Sequence, residues 1–236
     1  MKYEVQPIKI GSFGPVKECI KFINGSYEQE EMVPSFVYHV RSSEHNILID
    51  LGFSEVEKCQ ELTGLNCERD KSYKEILLEN NIDCREIDTI ICTHLHWDHA
   101  GNGKLFPNAR IICQKEEISN ALTSPSWASG YSQDFARDII DVIDQFEPVE
   151  GNTEIYDGLQ VIKIGGHSSG SQLVVINGKQ NKIIVTGDVV MTVRNIKEEI
   201  PIGLYTNLKE CVNAIKWIKS QNAVIYPGHD SNFIRL

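Results

Sequence analysis

Apolar and polar positions alternate in short runs along this chain, and the runs predict elements before any chemistry is considered. MVPSFVYHV at 32 to 40 and NILIDLG at 46 to 52 read as two strands, with the polar stretch Ser42-Ser43-Glu44-His45 as their hairpin loop. Residues 54 to 63 and 72 to 80 predict helices, the second with Ile76 and Leu77 for a buried face. TIICTHL at 89 to 95 predicts a strand that delivers its carboxyl end into THLHWDHAG, and ARIICQ at 109 to 114 is another strand. The segment that follows, through Phe146, reads as helical with breaks near Ser124-Pro125 and Gly130. From Gly158 the pattern returns to strands in LQVIKIGG, QLVVI and KIIVTGD, separated by His167-Ser168-Ser169-Gly170 and by the turn signal Asn177-Gly178. A helix at 206 to 219 keeps Leu208, Val212, Ile215 and Ile218 on one face, and AVIY at 223 to 226 is a last strand ending in PGHD. Each half is thus a set of strands plus helices with polar residues gathered at strand ends, which predicts two packed sheets with helices outside.

Composition narrows the function classes. With 236 residues, 41% hydrophobic and 24% charged, the chain is neither collagenous, coiled-coil nor disordered. The 33 acidic residues against 23 basic ones give a formal net charge of -10 without any basic run, which excludes an extended nucleic-acid-binding face. The seven cysteines, Cys19, Cys59, Cys67, Cys84, Cys92, Cys113 and Cys211, are odd in number and never spaced as CxxC, so they predict reduced thiols rather than a disulfide framework or a zinc ribbon. MKYEVQPIKIGSFG has no apolar signal core, and no apolar run approaches the ~18 residues of a membrane span, so the expectation is a cytoplasmic protein without membrane association.

Of seven histidines, five (His94, His96, His99, His167, His229) lie in three Gly-flanked loops that each follow a predicted strand. In His94-Leu95-His96-Trp97-Asp98-His99 the i and i+2 histidines can point the same way from a strand end, while the following turn can swing Asp98 and His99 toward a second point. One motif can therefore serve two metal ions. Imidazole nitrogen with carboxylate oxygen suits zinc and similar divalent ions, and Asp188 in TGD could bridge both. Taken alone, His167, Asp188 and His229 would each read as an ordinary polar loop residue; the HxHxDH run raises all three together. His39 and His45 have no ligand neighbours and read as structural.

THLHWDHAG, GGHSSG, TGD and PGHD, in that order and with ILIDLG before them, resemble the metallo-β-lactamase superfamily over nearly the whole chain. Within it the length and motif spacing look most like the N-acyl-homoserine lactone lactonase group. The resemblance implies a single α/β (α+β) domain over residues 1 to 236, a four-layer αββα sandwich of two mixed β-sheets with helices on the outer faces. It further implies that His94, His96 and His167 hold one metal, that Asp98, His99 and His229 hold the other, and that Asp188 bridges them. Those lactonases usually carry a tyrosine three residues after the bridging aspartate, where this chain has Met191; Tyr205 is the candidate substitute.

Such a site would hold two divalent metal ions, zinc first, with iron or manganese as alternatives, and would use a bridging hydroxide to open a lactone or ester. Asp98 is the expected catalytic group, taking a proton and returning it to the leaving atom. Asp50 is expected to orient a ligand histidine. The alternatives on the same fold are a thioester hydrolase of glyoxalase II type and a mononuclear iron sulfur dioxygenase. A flavodiiron reductase typically has a glutamate where His96 stands and an added flavodoxin domain, an RNA-processing nuclease a basic arm, and true β-lactamases usually lack the bridging aspartate. The expected partner is a small-molecule substrate, with the protein a monomer or homodimer. Trp127, Tyr131 and Phe135 recur at fourfold spacing and suggest either core packing or an apolar lid over the site.

Overall fold

The computed structural model describes residues 2 to 125, 130, 131 and 133 to 236. Its first sheet is built from β1 (Glu4–Lys17), β2 (Glu30–Arg41), β3 (Asn46–Ile49), β4 (Asn66–Glu68), β5 (Thr89–Ile91), β6 (Arg110–Gln114) and β7 (Phe146–Val149), in the spatial order β4-β1-β2-β3-β5-β6-β7. β1 to β4 pair antiparallel, whereas β3, β5, β6 and β7 run parallel. The second sheet comprises β8 (Thr153–Tyr156), β9 (Leu159–Lys163), β10 (Gln172–Asn177), β11 (Lys182–Val185), β12 (Val224–Tyr226) and β13 (Ile234–Arg235), ordered β13-β12-β11-β10-β9-β8. It is antiparallel except where β11 meets β12.

Period-two alternation decides the layers, because successive side chains of a strand face opposite sides. Ile47 and Ile49 of β3 join Ile91, Ile112, Val161, Val174, Ile176 and Val185 in the core between the sheets. Leu48, Ile90 and Ile111 point the other way, against Cys59 of α2 (Val56–Thr63), Leu77 of α3 (Tyr73–Glu79) and Phe135 and Ile139 of α5 (Gln133–Ile140). On the second sheet Leu173, Val175, Ile184 and Ile225 face Ile196 of α6 (Val193–Lys197) and Ala214, Ile215 and Ile218 of α7 (Leu208–Lys219). Each fully buried Ile or Leu contributes about 1.5–3 kcal/mol relative to exposure. The outcome is the expected four-layer αββα sandwich of two mixed sheets.

Several expectations are sharpened. The hairpin of β2 and β3 closes where predicted, Ser42 N–H donating to His45 O at 3.0 Å. β1, the longest strand, escapes the pattern because Pro7, Gly11, Gly14 and Pro15 interrupt it, and its register with β2 shifts twice. β5 stops at Ile91, so residues 92 to 95 leave the sheet as loop. The helical segment after β6 is α4 (Lys115–Thr123) and α5, and its end at Phe146 is already β7. α7 is capped by Asn207, whose side chain accepts from Lys209 N–H and Glu210 N–H. Its buried face is Cys211, Ala214, Ile215 and Ile218, with Leu208 and Val212 at the edges. α1 (Glu18–Lys21) completes the α-helices among the described residues.

Candidate metal centre

The carboxyl ends of both sheets meet at the residues singled out by sequence. After β5, Cys92 N–H still donates to Ile112 O at 3.0 Å, and the chain then turns away. His99 N–H and Ala100 N–H both return to His96 O, at 3.0 and 3.1 Å, which closes a turn and separates Asp98 and His99 from His94 and His96. Asp50, at the end of β3, fixes this loop: its carboxylate accepts from Thr93 N–H at 2.7 Å, from the Thr93 hydroxyl at 2.8 Å and from His99 Nδ1 at 2.9 Å. The aspartate sits at φ 58, a left-handed conformation that these three bonds compensate. It thus orients a histidine through its other nitrogen, as expected for Asp50.

All seven candidate ligands are buried and fall into two groups. His94, His96 and His167 form one, and Asp98, His99, Asp188 and His229 the other, with one potential ligand atom per residue lying within 4.8 Å of the others in its group. Asp188, on a short turn after β11, spans both: its Oδ2 lies 3.6 Å from His167 Nε2, while its Oδ1 lies 3.1 Å from His99 Nε2 and 2.9 Å from His229 Nε2. Asp98 Oδ2 is 3.3 Å from His229 Nε2 and 3.6 Å from His99 Nε2.

Ring orientation shows whether these residues fit a metal. The Nδ1 nitrogens of His167 and His229 donate to the carbonyls of Leu204 (2.8 Å) and Pro34 (2.9 Å), that of His99 to Asp50, and that of His94 faces the Thr93 hydroxyl at 3.2 Å. In all four Nε2 is the nitrogen that faces inward, and His96 presents its Nδ1 instead, 2.9 Å from His167 Nε2. His94 Nε2 is buried without a hydrogen-bond partner among the described residues, and the buried Nε2 atoms of His99 and His229 face only the carboxylates of Asp98 and Asp188. Buried imidazole nitrogens and carboxylate oxygens converging on two points are a donor set that divalent cations would complete.

The two groups differ electrostatically. Burial, reinforced by its histidine neighbours, pushes His94 well below the usual imidazole range and His96 down to about 3. Burial would do the same to His99 and His229, but the charges of Asp188 and Asp98 outweigh it, holding His99 well up and His229 at about 10. For Asp98 and Asp188, burial works toward the neutral form and is overcome by His99 and His229, so both carboxyls lie below their ordinary value.

The remaining sequence candidates divide. His39 bonds Asn46 Oδ1 at 2.6 Å and His45 stacks on Tyr156, both structural roles as expected. Met191 is buried with Ile202 and Cys211 in a small apolar cluster and offers the site no hydroxyl, and Tyr205 is 40% exposed. Trp127 lies outside the described residues. Tyr131 precedes α5 rather than sharing a helical face with Phe135; its ring lies 4.5 Å from that of His96, edge-on, while Phe135 stacks on Trp97. Sequence reasoning missed Glu117, which reads as an exposed helix-start glutamate in Lys115-Glu116-Glu117 and is in fact wholly buried beside the histidine loops. Nothing in its local sequence distinguishes it from Glu116.

With this geometry in place, comparison with known proteins is informative. The family model of the metallo-beta-lactamase superfamily matches residues 31 to 229. An N-acyl homoserine lactonase of Bacillus thuringiensis is 26% identical over 213 residues, covering 84% of this chain and 82% of that protein. A probable metallo-hydrolase of Methanocaldococcus jannaschii is 26% identical over 154 residues, covering 65% and 62%. Among solved structures, an N-acyl homoserine lactone hydrolase with the product N-hexanoyl-L-homoserine bound at its catalytic metal center superposes with a TM-score of 0.85 at 24% identity, covering 98% of this chain and 95% of that one. A dizinc quorum-quenching lactonase superposes with a TM-score of 0.76 at 15% identity, covering 97% and 88%; at these identities the likeness is one of fold. The chain belongs to the metallo-beta-lactamase superfamily, and it is a metallo-hydrolase.

Proposed function

We propose that the protein is a dinuclear metallo-hydrolase that opens a lactone or cleaves an ester, with N-acyl-homoserine lactones as the first substrate class to consider. The observation that carries this reading is the pair of buried clusters sharing Asp188, one carboxylate oxygen turned to each. In this reading His94, His96 and His167 hold one ion, Asp98, His99 and His229 the other, and Asp188 both. The donor set suits zinc, with iron or manganese as alternatives. When bound, such ions supply Lewis acidity and a water whose pKa falls from 15.7 toward ~7.

The chain's own residues supply the rest. Asp98, kept ionised by His99 and His229, is the group that accepts a proton from the attacking water and returns it to the leaving oxygen. With Met191 packed into an apolar cluster, the substrate carbonyl is not assisted by a tyrosine at that position. The lactonase activity of the Bacillus thuringiensis relative supports the substrate class.

A mononuclear sulfur dioxygenase would need only the three-histidine cluster, and the intact second cluster, with the His99 and His229 nitrogens turned to Asp98 and Asp188, favours the dinuclear reading. The test is a metal count on purified protein followed by hydrolysis assays across N-acyl-homoserine lactones, thioesters and β-lactams. Two ions per chain and lactone opening are expected. A stoichiometry of one at saturation, with His99 and His229 dispensable for binding, would overturn the reading, and turnover of thioesters alone would replace its substrate class.

A further inference from the structure

Glu117 lies in the first turn of α4, is wholly buried and forms no ion pair among the described residues. Its two oxygens are nonetheless filled. Oε1 accepts from Leu95 N–H at 3.0 Å and from the Tyr131 hydroxyl; Oε2 accepts from the Ser168 hydroxyl at 2.7 Å and from Gly170 N–H at 3.2 Å. Ser171 Oγ accepts from Ser168 N–H at 3.0 Å and lies 2.7 Å from Ser168 Oγ, so it can donate there and leave the Ser168 hydroxyl free to donate to Glu117. Four donors on two oxygens is the pattern of an acceptor-only carboxylate.

The donors come from every segment that shapes the three-histidine cluster. Leu95 stands between His94 and His96, Ser168 follows His167, and Tyr131 sets its ring edge-on against that of His96. The packing leaves no slack: a Cβ at Gly170 would fall 2.5 Å from Glu117 Cβ, and one at Gly130, which has φ +83, would fall 2.3 Å from His96 Cδ2. The cluster's own ligands are three imidazoles, so Glu117 sets beside it the carboxylate that those ligands do not include.

We propose that Glu117 is the positioning residue of the three-histidine cluster, locking His94, His96 and His167 into one ligating arrangement and strengthening cation binding there but not at the Asp98–His99–His229 cluster. This rests on the dinuclear reading above. Groups that hydrogen-bond metal ligands set affinity by about 10–100-fold, and Glu117 holds the residues flanking the ligands rather than the ligands themselves.

The test uses zinc affinity by chelator competition in two backgrounds, with the melting temperature of the metal-free protein measured beside it. In His229→Ala the complete cluster left is the three-histidine one, and in His94→Ala it is the other. Glu117→Gln is expected to weaken zinc about 10–100-fold in the first background and to leave the second within about twofold. Equal weakening in both, or none in the first, would overturn the proposal, since a merely structural role lowers the metal-free melting temperature without discriminating between ions. Should Glu117→Gln fail to fold, Tyr131→Phe removes one donor and decides instead, with a selective loss of about fivefold expected and no selective loss overturning it. Wild-type protein binding fewer than two ions would sink the dinuclear reading itself, whereas two ions with an insensitive Glu117→Gln would sink only this inference.

Discussion

The two clusters of the centre lie against each other, the rings of His94 and His99 only 4.2 Å apart, yet they are held in opposite electrostatic states. In the three-histidine group His94 and His96 are pushed toward neutrality by burial, and the group's surroundings are tied by Glu117. The Asp98–His99–Asp188–His229 group couples carboxylates to imidazoles that hold their protons, and Asp50 braces it from outside. Burial is alike in both, so burial alone does not set protonation; the placement of carboxylates does. A cation therefore enters the first group as an added charge and the second as a replacement for protons.

The strongest way to break this division is to remove what the two groups share. Asp188→Ala takes a facing oxygen from each, and both ions should be lost or weakened by more than about 100-fold with activity falling in step, as read by metal content and turnover; loss of a single ion would show that Asp188 serves one group alone. A narrower cut is Asp50→Asn, which removes the charge behind His99 while asparagine still tolerates the left-handed backbone. Zinc at the carboxylate-bearing group should weaken about 10–100-fold and the three-histidine ion should hold.

The finest distinction is in pH. Because His229 is held at about 10 and His99 well above its ordinary value, an ion entering their group must displace protons, so its affinity should rise with pH from neutrality to about 10, by up to about tenfold per unit for each proton released. His96, at about 3, and His94 hold no proton to displace at neutral pH, so zinc at their group should depend on pH much less steeply over the same window. Chelator competition from pH 6 to 10 on His229→Ala and His94→Ala separates the two ions. Equal slopes would end the comparison.

How much of this was legible beforehand follows from the range over which each signal acts. His94, His96, Asp98 and His99 fall within six residues, so their convergence is local geometry and could be read from a strand end followed by a turn. His167, Asp188 and His229 were legible because each follows a strand, and strands that enter two packed sheets deliver their ends to common edges. Two packed sheets with helices outside could be read from the strand and helix runs of each half, and the uniformly apolar Ile47-Leu48-Ile49 fits a strand buried on both faces. β1 could not, because its prolines and glycines mask an extended chain that gains its stability from pairing with β2 and β4.

By itself, then, the sequence determined what local geometry and periodicity can carry: the strands that deliver the ligand loops, the outward helices and the residue types able to ligate. Tertiary structure alone decided which nitrogen of each ring faces inward, because the carbonyls of Leu204 and Pro34 that claim the opposite nitrogens lie 37 and 195 residues away along the chain. It alone set the two protonation states, since a charge acts through distance and burial rather than through sequence separation. It also turned Glu117 from one of two adjacent glutamates into a wholly buried hub, because only the packing of α4 against the loops of His96 and His167 brings four donors from three segments to one carboxylate.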